Sequence, residues 1–248
     1  MKYERIFLRT MGLVGLLFGL LTSSNVVLGQ SLGNSQVVQP NTDEFGNSYG
    51  EWSARWWQWL VSIPAATNPN LTPGNVDCTL GQSGQVWFLG GSFGDKPSYT
   101  RSCTIDSGKD LLVTPLTALF GELGPTPESD CPNGPDDCNP TQLRSSAAEG
   151  QDDPQLLEVR VDNAQVKNVD QYRVTSPVFS AFFPEKAILP DSIVPGGTVP
   201  HGSHGPLISD GYFVLLKPLS PGSHTIHLKG VANNGFAVEV TYRLTVTK

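Results

Sequence analysis

Four histidines fall in two H-x-x-H pairs, His201/His204 and His224/His227. Imidazole is a common metal ligand, and in the segment HGSHG the glycines let the backbone bring both rings of the first pair onto one ion. The second pair stands in a strand-like run. There a step of three residues points the rings to opposite faces, and one ion cannot take both without a bulge. His201 and His204 are therefore the candidate copper or zinc ligands, although an ordinary polar loop explains them as well. Calcium is the other ion to weigh. Asp130, Asp136, Asp137, Asp152 and Asp153 share one irregular segment, and carboxylates suit a hard cation. Their spacing is not that of an EF-hand, so a solvated acidic loop is the leading reading and no cofactor is assigned.

Four of the tryptophans lie between Trp52 and Trp59. A flat apolar ring with one N–H donor stacks on sugars or anchors a protein partner. Trp52, Trp56, Trp59, Leu60 and Ile63 nevertheless recur at helical spacing, and such a stripe more often docks a helix onto the body of a protein. Trp57 stands off the stripe beside Arg55 and Gln58. It is the ring expected at the surface, and Trp57 with Arg55 are the candidate ligand contacts. Gly81-Gln82-Ser83-Gly84 lacks the spacing of a G-x-S-x-G nucleophile elbow, so no catalytic residue is assigned. Asn70-Leu71-Thr72 is a formal glycosylation triplet, weakened by the Pro73 that follows.

The elements that would position these residues are mostly strands. The exception is the tryptophan segment, where Ser48 and Glu51 have the spacing of a capping box and Pro64 stops the helix. Runs at Val86–Leu89, Tyr99–Ile105, Leu111–Leu116, Leu157–Val161, Tyr172–Thr175, Val178–Phe182, Tyr212–Leu216 and Thr225–Leu228 read as strands. From Phe236 to Val246 apolar residues alternate with Ala, Glu, Thr and Arg, which is the clearest period of two in the chain. Residues 121–153 and 184–206 read as long surface loops, the first containing a short helix at Pro140–Ala148 capped by Asn139. These signals predict a mostly β chain: an immunoglobulin-like or jelly-roll-like β-sandwich with one N-terminal amphipathic Trp-rich helix and long loops.

The N-terminus reads as an export signal. Lys2, Arg5 and Arg9 precede an apolar stretch, Met11 to Leu21, that is shorter than the ~20 residues a membrane-spanning helix needs. Cleavage is expected after Gly29, which makes 1–29 a signal peptide, 30–47 a flexible polar arm and 48–248 a single domain. Loss of the signal removes three positive charges and one negative, taking the net charge from −7 to about −9. So acidic a chain is a poor fit to nucleic acid or to an anionic membrane surface. No later stretch is apolar enough to span a membrane. In an exported chain an even number of cysteines favours disulfides. Cys78, Cys103, Cys131 and Cys138 allow three pairings, of which Cys78–Cys103 and Cys131–Cys138 are favoured because each brackets its own segment.

Several long motifs stand out together: EWSARWWQWLVSIP, CTLGQSGQVWFLGGSFG, RSCTIDSGK, LEVRVDNAQVKNVDQYRVTSPVFS and DGYFVLLKPLSPGSHTIHLKG. From about Glu51 to Val246 the chain resembles a family of uncharacterised secreted bacterial proteins with an E-W-S-x-x-W-W-x-W motif. The resemblance implies a secreted or periplasmic protein with paired cysteines and a β-rich body, and it brings no activity or catalytic residue. The segment with His201 and His204 lies outside the family pattern. The functional expectation is thus a non-enzymatic binding or structural protein at the cell envelope or outside the cell, with a carbohydrate or an envelope protein as partner. The alternative is metal binding, or metal-dependent catalysis, at His201 and His204.

Overall fold

The computed structural model describes residues 32–33, 36–93, 98–121, 123, 139–185 and 199–248. The expected signal segment 1–29, Cys131, Cys138, Asp130, Asp136 and Asp137 lie outside the described residues.

The tryptophan segment forms helix α1, Tyr49–Ser62. Its start is fixed as the capping box requires: Glu51 N–H donates to Ser48 Oγ, and Ser48 N–H donates to Glu51 Oε2 at 2.7 Å. Its far end is closed by a side chain. Asn68 Nδ2 donates to the carbonyls of Leu60 (2.7 Å) and Ile63 (3.1 Å), adding to the 3.4 Å bond that Leu60 O accepts from Ile63 N–H. A second helix, α2, runs from Pro140 to Glu149, with Pro at its first position and Asn139 Oδ1 accepting from Thr141 N–H.

The rest is mostly β. Among the described residues the strands are β1 Gly74–Asn75, β2 Val86–Phe88, β3 Tyr99–Ile105, β4 Asp110–Gly121, β5 Leu156–Val161, β6 Ala164–Gln165, β7 Arg173–Thr175, β8 Phe179–Phe183, β9 Gly202–Leu216, β10 Gly222–Val231 and β11 Ala237–Val246. One sheet has the order β1-β3-β11-β10-β5-β6 and the other β2-β4-β9-β7, with β8 also paired to β9. Both sheets are mixed: β1–β3, β3–β11 and β2–β4 are parallel, and the other pairs are antiparallel. The period-2 segment pairs with β10 as a closing hairpin, from Gly222 opposite Val246 to Val231 opposite Ala237.

Strand β9 is central and buried at every residue from Leu207 to Leu216. Phe213 meets Trp56 of α1 at 5.9 Å, and Ser209 Oγ lies 3.2 Å from Ser53 Oγ, so α1 covers this face of its sheet. The other sheet approaches β4 so closely that a Cβ at Gly230 would collide with the Pro115 carbonyl. Only glycine fits there. Cys78, after β1, is bonded to Cys103 of β3. Closing a loop of 25 residues stabilises the fold by about 3–4 kcal/mol on chain-entropy grounds.

Two expectations need correction. The loop expected over 184–206 ends earlier, because β9 begins at Gly202. Gly202, Gly205 and Pro206 are poor strand formers, but pairing with β8 (Phe183 opposite Gly202, Phe179 opposite Leu207) overrides propensity. The expected flexible arm is docked over residues 36–47. Val38 N–H donates to Leu215 O and Lys217 N–H to Gln36 O, and Val37 and Val38 are buried. Two adjacent valines in a polar segment are enough to tie it to the end of β9.

Candidate functional site

The tryptophans of α1 are held inside the protein, and each indole N–H has an acceptor. Trp52 donates to Glu44 O (3.0 Å), Trp56 to Leu89 O (3.0 Å), Trp57 to Thr117 Oγ1 (3.2 Å) and Trp59 to Leu80 O (2.9 Å). The stripe is core, as its spacing indicates. Trp57 is not the exposed ring expected of it: it is 4% exposed and packs edge-on against Trp56 at 5.2 Å. The helix is covered on more than its apolar stripe, because β4 of the sheet beneath reaches round to Trp57 through Thr117. Arg55 is exposed and lies over the Trp52 ring at 5.3 Å, away from Trp57's contacts.

Trp57 instead forms part of the wall of a cavity of about 320 Å³. The cavity exists because β2 and β4 differ in length. Strand β2 pairs with β4 only from Asp110 to Leu112, and β4 continues to Gly121. All residues from Thr114 to Phe120 line the cavity. Consecutive strand residues face opposite ways, so the cavity follows the edge of β4 rather than one of its faces. The register shift between Val113 and Leu116 sets Pro115 here, where its missing N–H costs no ladder bond.

Aromatic rings reach the cavity from elements far apart in sequence: Trp56 and Trp57 from α1, Phe93 from the segment after β2, Phe120 from β4 and Phe236 from the β10–β11 turn. Phe236 is 40% exposed at the rim. No Asp, Glu, Lys, Arg or His is among the described lining residues. The polar side chains in the wall are largely spent on the protein. Thr117 Oγ1 takes the Trp57 N–H and donates to Asp210 O, Thr114 Oγ1 donates to Leu116 O, and Asn234 Oδ1 accepts from Phe236 N–H. Two wall residues depart from this pattern. Asn70 and Gln151 are 2% and 4% exposed, and their Oδ1 and Oε1 atoms are buried with no hydrogen-bond partner. The Asn70 oxygen is packed against Gly90, where a Cβ would displace it. Gln151 is fixed through its backbone, whose carbonyl accepts from the Tyr212 hydroxyl at 2.9 Å.

Behind this wall lies Arg101 of β3, fully buried. Its guanidinium sits over the rings of Tyr99 (4.6 Å) and Tyr242 (5.6 Å). Nε donates to Thr72 O (2.9 Å) and Nη1 to Gly91 O (2.7 Å), while Nη2 is buried without a partner. Among the described residues it has no salt bridge. It holds together the 68–72 and 90–91 segments that carry Asn70 and Gly91.

The histidines do not converge. His201 packs edge-on against Phe182 and His204 against Phe183, neighbours on β8 whose side chains point to opposite faces. Phe182 is 50% exposed and Phe183 fully buried, and His204 Nε2 lies 2.6 Å from Pro200 O. Among the described residues no group of three or more His, Cys, Asp or Glu is placed to hold a metal ion. Asp152, from the acidic segment, is engaged by Arg173 Nη1 at 2.6 Å.

His224 and His227 lie on opposite faces of β10, as their odd step requires, and each is paired with acids. His227 sits between Glu158 (3.1 Å) and Glu239 (3.3 Å). His224 Nδ1–H donates to Asp162 Oδ2 at 2.6 Å, and Nε2 lies 2.8 Å from Ser220 O. Burial alone would lower the His224 pKa, but these two acceptors favour the doubly protonated ring and the net shift is upward. A folded-state pKa above the unfolded one gives stability that is complete below the ordinary imidazole value of about 6.5 and is lost as pH rises through the raised value. The pair is partly exposed, so its contribution is under about 1 kcal/mol. Urea midpoints at acid and alkaline pH should show it. His224→Gln loses stability at the acid value and little at the alkaline one, and an equal loss at both would remove the protonated pair as its cause.

Asn70 and Gln151 were invisible in the sequence because they reach one wall from separate elements, the segment after α1 and the end of α2. No local pattern records such a convergence. No family model, curated protein or solved structure matches this chain.

Proposed function

We propose that the chain is an exported, non-enzymatic binding protein whose ligand enters the cavity beside Trp57. One observation carries the reading: a concave, aromatic-lined space of about 320 Å³ whose described lining has no charged side chain. Cavities that hold small ligands are concave and mostly apolar with few polar groups, and this one is at the small end of their range. Catalysis by general acids or bases needs titratable groups at the site, and this wall offers binding surface instead. The carbohydrate or envelope protein suggested by the tryptophans gives way here to a small ligand met at the envelope, with Trp57 as a contact from the cavity wall.

Export fits the Cys78–Cys103 disulfide, since such bonds persist in oxidising compartments. It also fits the basic-then-apolar start of the chain and the resemblance to secreted bacterial proteins. Among the described residues no helix is long and apolar enough to cross a membrane. An immunoglobulin-like sandwich is the favoured form of the fold. The order β2-β4-β9-β7 follows the A-B-E-D sheet of that class, and β11-β10-β5-β6 follows G-F-C-C′. The parallel β2–β4 pair is the departure from it.

The test is a thermal-shift panel of glycans, neutral small molecules and divalent metals on the oxidised protein, repeated with Ala118→Phe to fill the cavity. A ligand at 100 times its Kd adds about 2.7 kcal/mol, or roughly 5–10 °C for a chain of this size. The expected result is a shift in the wild type that vanishes in the filled variant. A shift unaltered by Ala118→Phe, or none at all, counts against the cavity. A zinc or copper shift abolished by His201→Ala and His204→Ala moves the function to those residues.

A further inference from the structure

We propose that the ligand of this cavity is an uncharged, mainly apolar molecule of one or two rings, not a polyol; this rests on the binding reading above. Size comes first. A dry protein cavity of about 150 Å³ accommodates benzene. At about 320 Å³ this one has room for two rings and little more.

Charge comes next. An ionic group buried here would meet no opposite charge among the described lining residues, and burying an unpaired charge is strongly unfavourable. Hydrogen-bonding capacity then separates a sugar from an apolar ring. A polyol needs partners for several hydroxyls at once. The Trp56 and Trp57 N–H groups and the Thr114 and Thr117 hydroxyls already have protein partners. A sugar seated against them would give up its hydration without replacement, which costs affinity at every hydroxyl. What remains is aromatic and aliphatic surface from Trp57, Phe93, Leu119, Phe120, Phe236 and Val238, suited to stacking and edge-on ring contacts.

1-Naphthylamine is the direct probe, being neutral at pH 7, built of two fused rings with one amino group, and shifted in its emission by an apolar site. Its sulfonated relative 5-aminonaphthalene-1-sulfonate tests charge. Glucose, N-acetylglucosamine and cellobiose, read by thermal shift, test the polyol class. The expected result is saturable one-to-one binding of the neutral dye, weakened about tenfold or more by Ala118→Phe and by Phe236→Ala, with the sulfonate at least about tenfold weaker than the neutral dye. Phe236 is partly exposed, so its truncation leaves the fold in place. Binding of a sugar, blocked by Ala118→Phe, with no binding of the dye overturns the ligand class while the cavity reading stands. Dye binding indifferent to both substitutions overturns the proposal by putting the dye elsewhere. A natively folded wild type that takes up neither dye nor sugar overturns both.

Discussion

Replacing Arg101 with Met is expected to lower stability by roughly 3–5 kcal/mol, although no salt bridge among the described residues is broken. Removing one partner of a buried ion pair is costly because a naked charge remains. Here the guanidinium is the buried charge, and what remains is a pair of carbonyls. Thr72 O and Gly91 O each lose a charge-assisted bond, of 2.9 and 2.7 Å, the first part-buried and the second buried. Bonds to charged groups are worth about 1.5–3 kcal/mol apiece. Relief of the unpaired Nη2, and of the cost of burying the charge, offsets part of this. Gly90 O keeps the Tyr242 hydroxyl at 3.0 Å, so it is not orphaned. With a urea m-value of about 2 kcal/mol/M the midpoint should fall by on the order of 2 M. Arg101→Lys separates charge from shape. It keeps the cation but not the fork that reaches two segments at once, and it should recover less than half of the loss. Full recovery by Lys would mean that charge alone matters, and a midpoint shift below about 0.5 M for Met would discard the account.

The loss should be felt at the cavity too. Arg101 does not line it, but Asn70 and Gly91 do, and both belong to segments that the guanidinium ties together. Binding and stability are therefore coupled through one side chain. A variant that still folds but holds these segments loosely is expected to bind its ligand less tightly.

What could be read from the chain and what could not divides along the range of the interactions. The start of α1 was legible because Ser48 and Glu51 encode it within four residues, and Asn139-Pro140 did the same for α2. The β10–β11 hairpin was legible because alternation over ten residues leaves no other assignment, and Cys78–Cys103 because two cysteines bracket one segment. The first residues of β9 were not, since Gly202, Gly205 and Pro206 argue against a strand and only the partner β8 holds them there. Trp57 was misjudged for a related reason. A helical wheel shows which face is apolar but not how much of the helix other elements cover, and the acceptor for its N–H is 60 residues away. The cavity is the extreme case. Its walls come from α1, the segment after β2, β4, the end of α2 and the β10–β11 turn, and none of them carries a local mark of it.

Trp56→Ala is expected to be the most damaging single truncation in α1, at about 3–5 kcal/mol. Trp56 is 1% exposed and touches three rings: Trp57 at 5.2 Å, Trp59 at 6.2 Å and Phe213 at 5.9 Å. Phe213 belongs to the central strand β9, so this one side chain joins the helix to the middle of its sheet. Truncation leaves a void that the neighbouring indoles cannot fill, because their N–H groups are tied to Thr117 and Leu80. It also strands Leu89 O, which anchors the chain where it leaves β2 for the cavity wall. Trp56→Phe divides the two effects. It keeps most of the ring packing and loses the bond, so about 1–3 kcal/mol should go with the stranded carbonyl and the smaller ring. Chemical denaturation of the two variants beside Trp52→Ala checks the ranking. Trp52 is at the helix start, 7% exposed and shielded by Arg55, so its loss should cost less. Were Trp52→Ala the more harmful, the helix would be held to the protein at its N-terminal end rather than through its centre, and the position of Trp57 in the cavity wall would no longer depend on the Trp56–Phe213 contact.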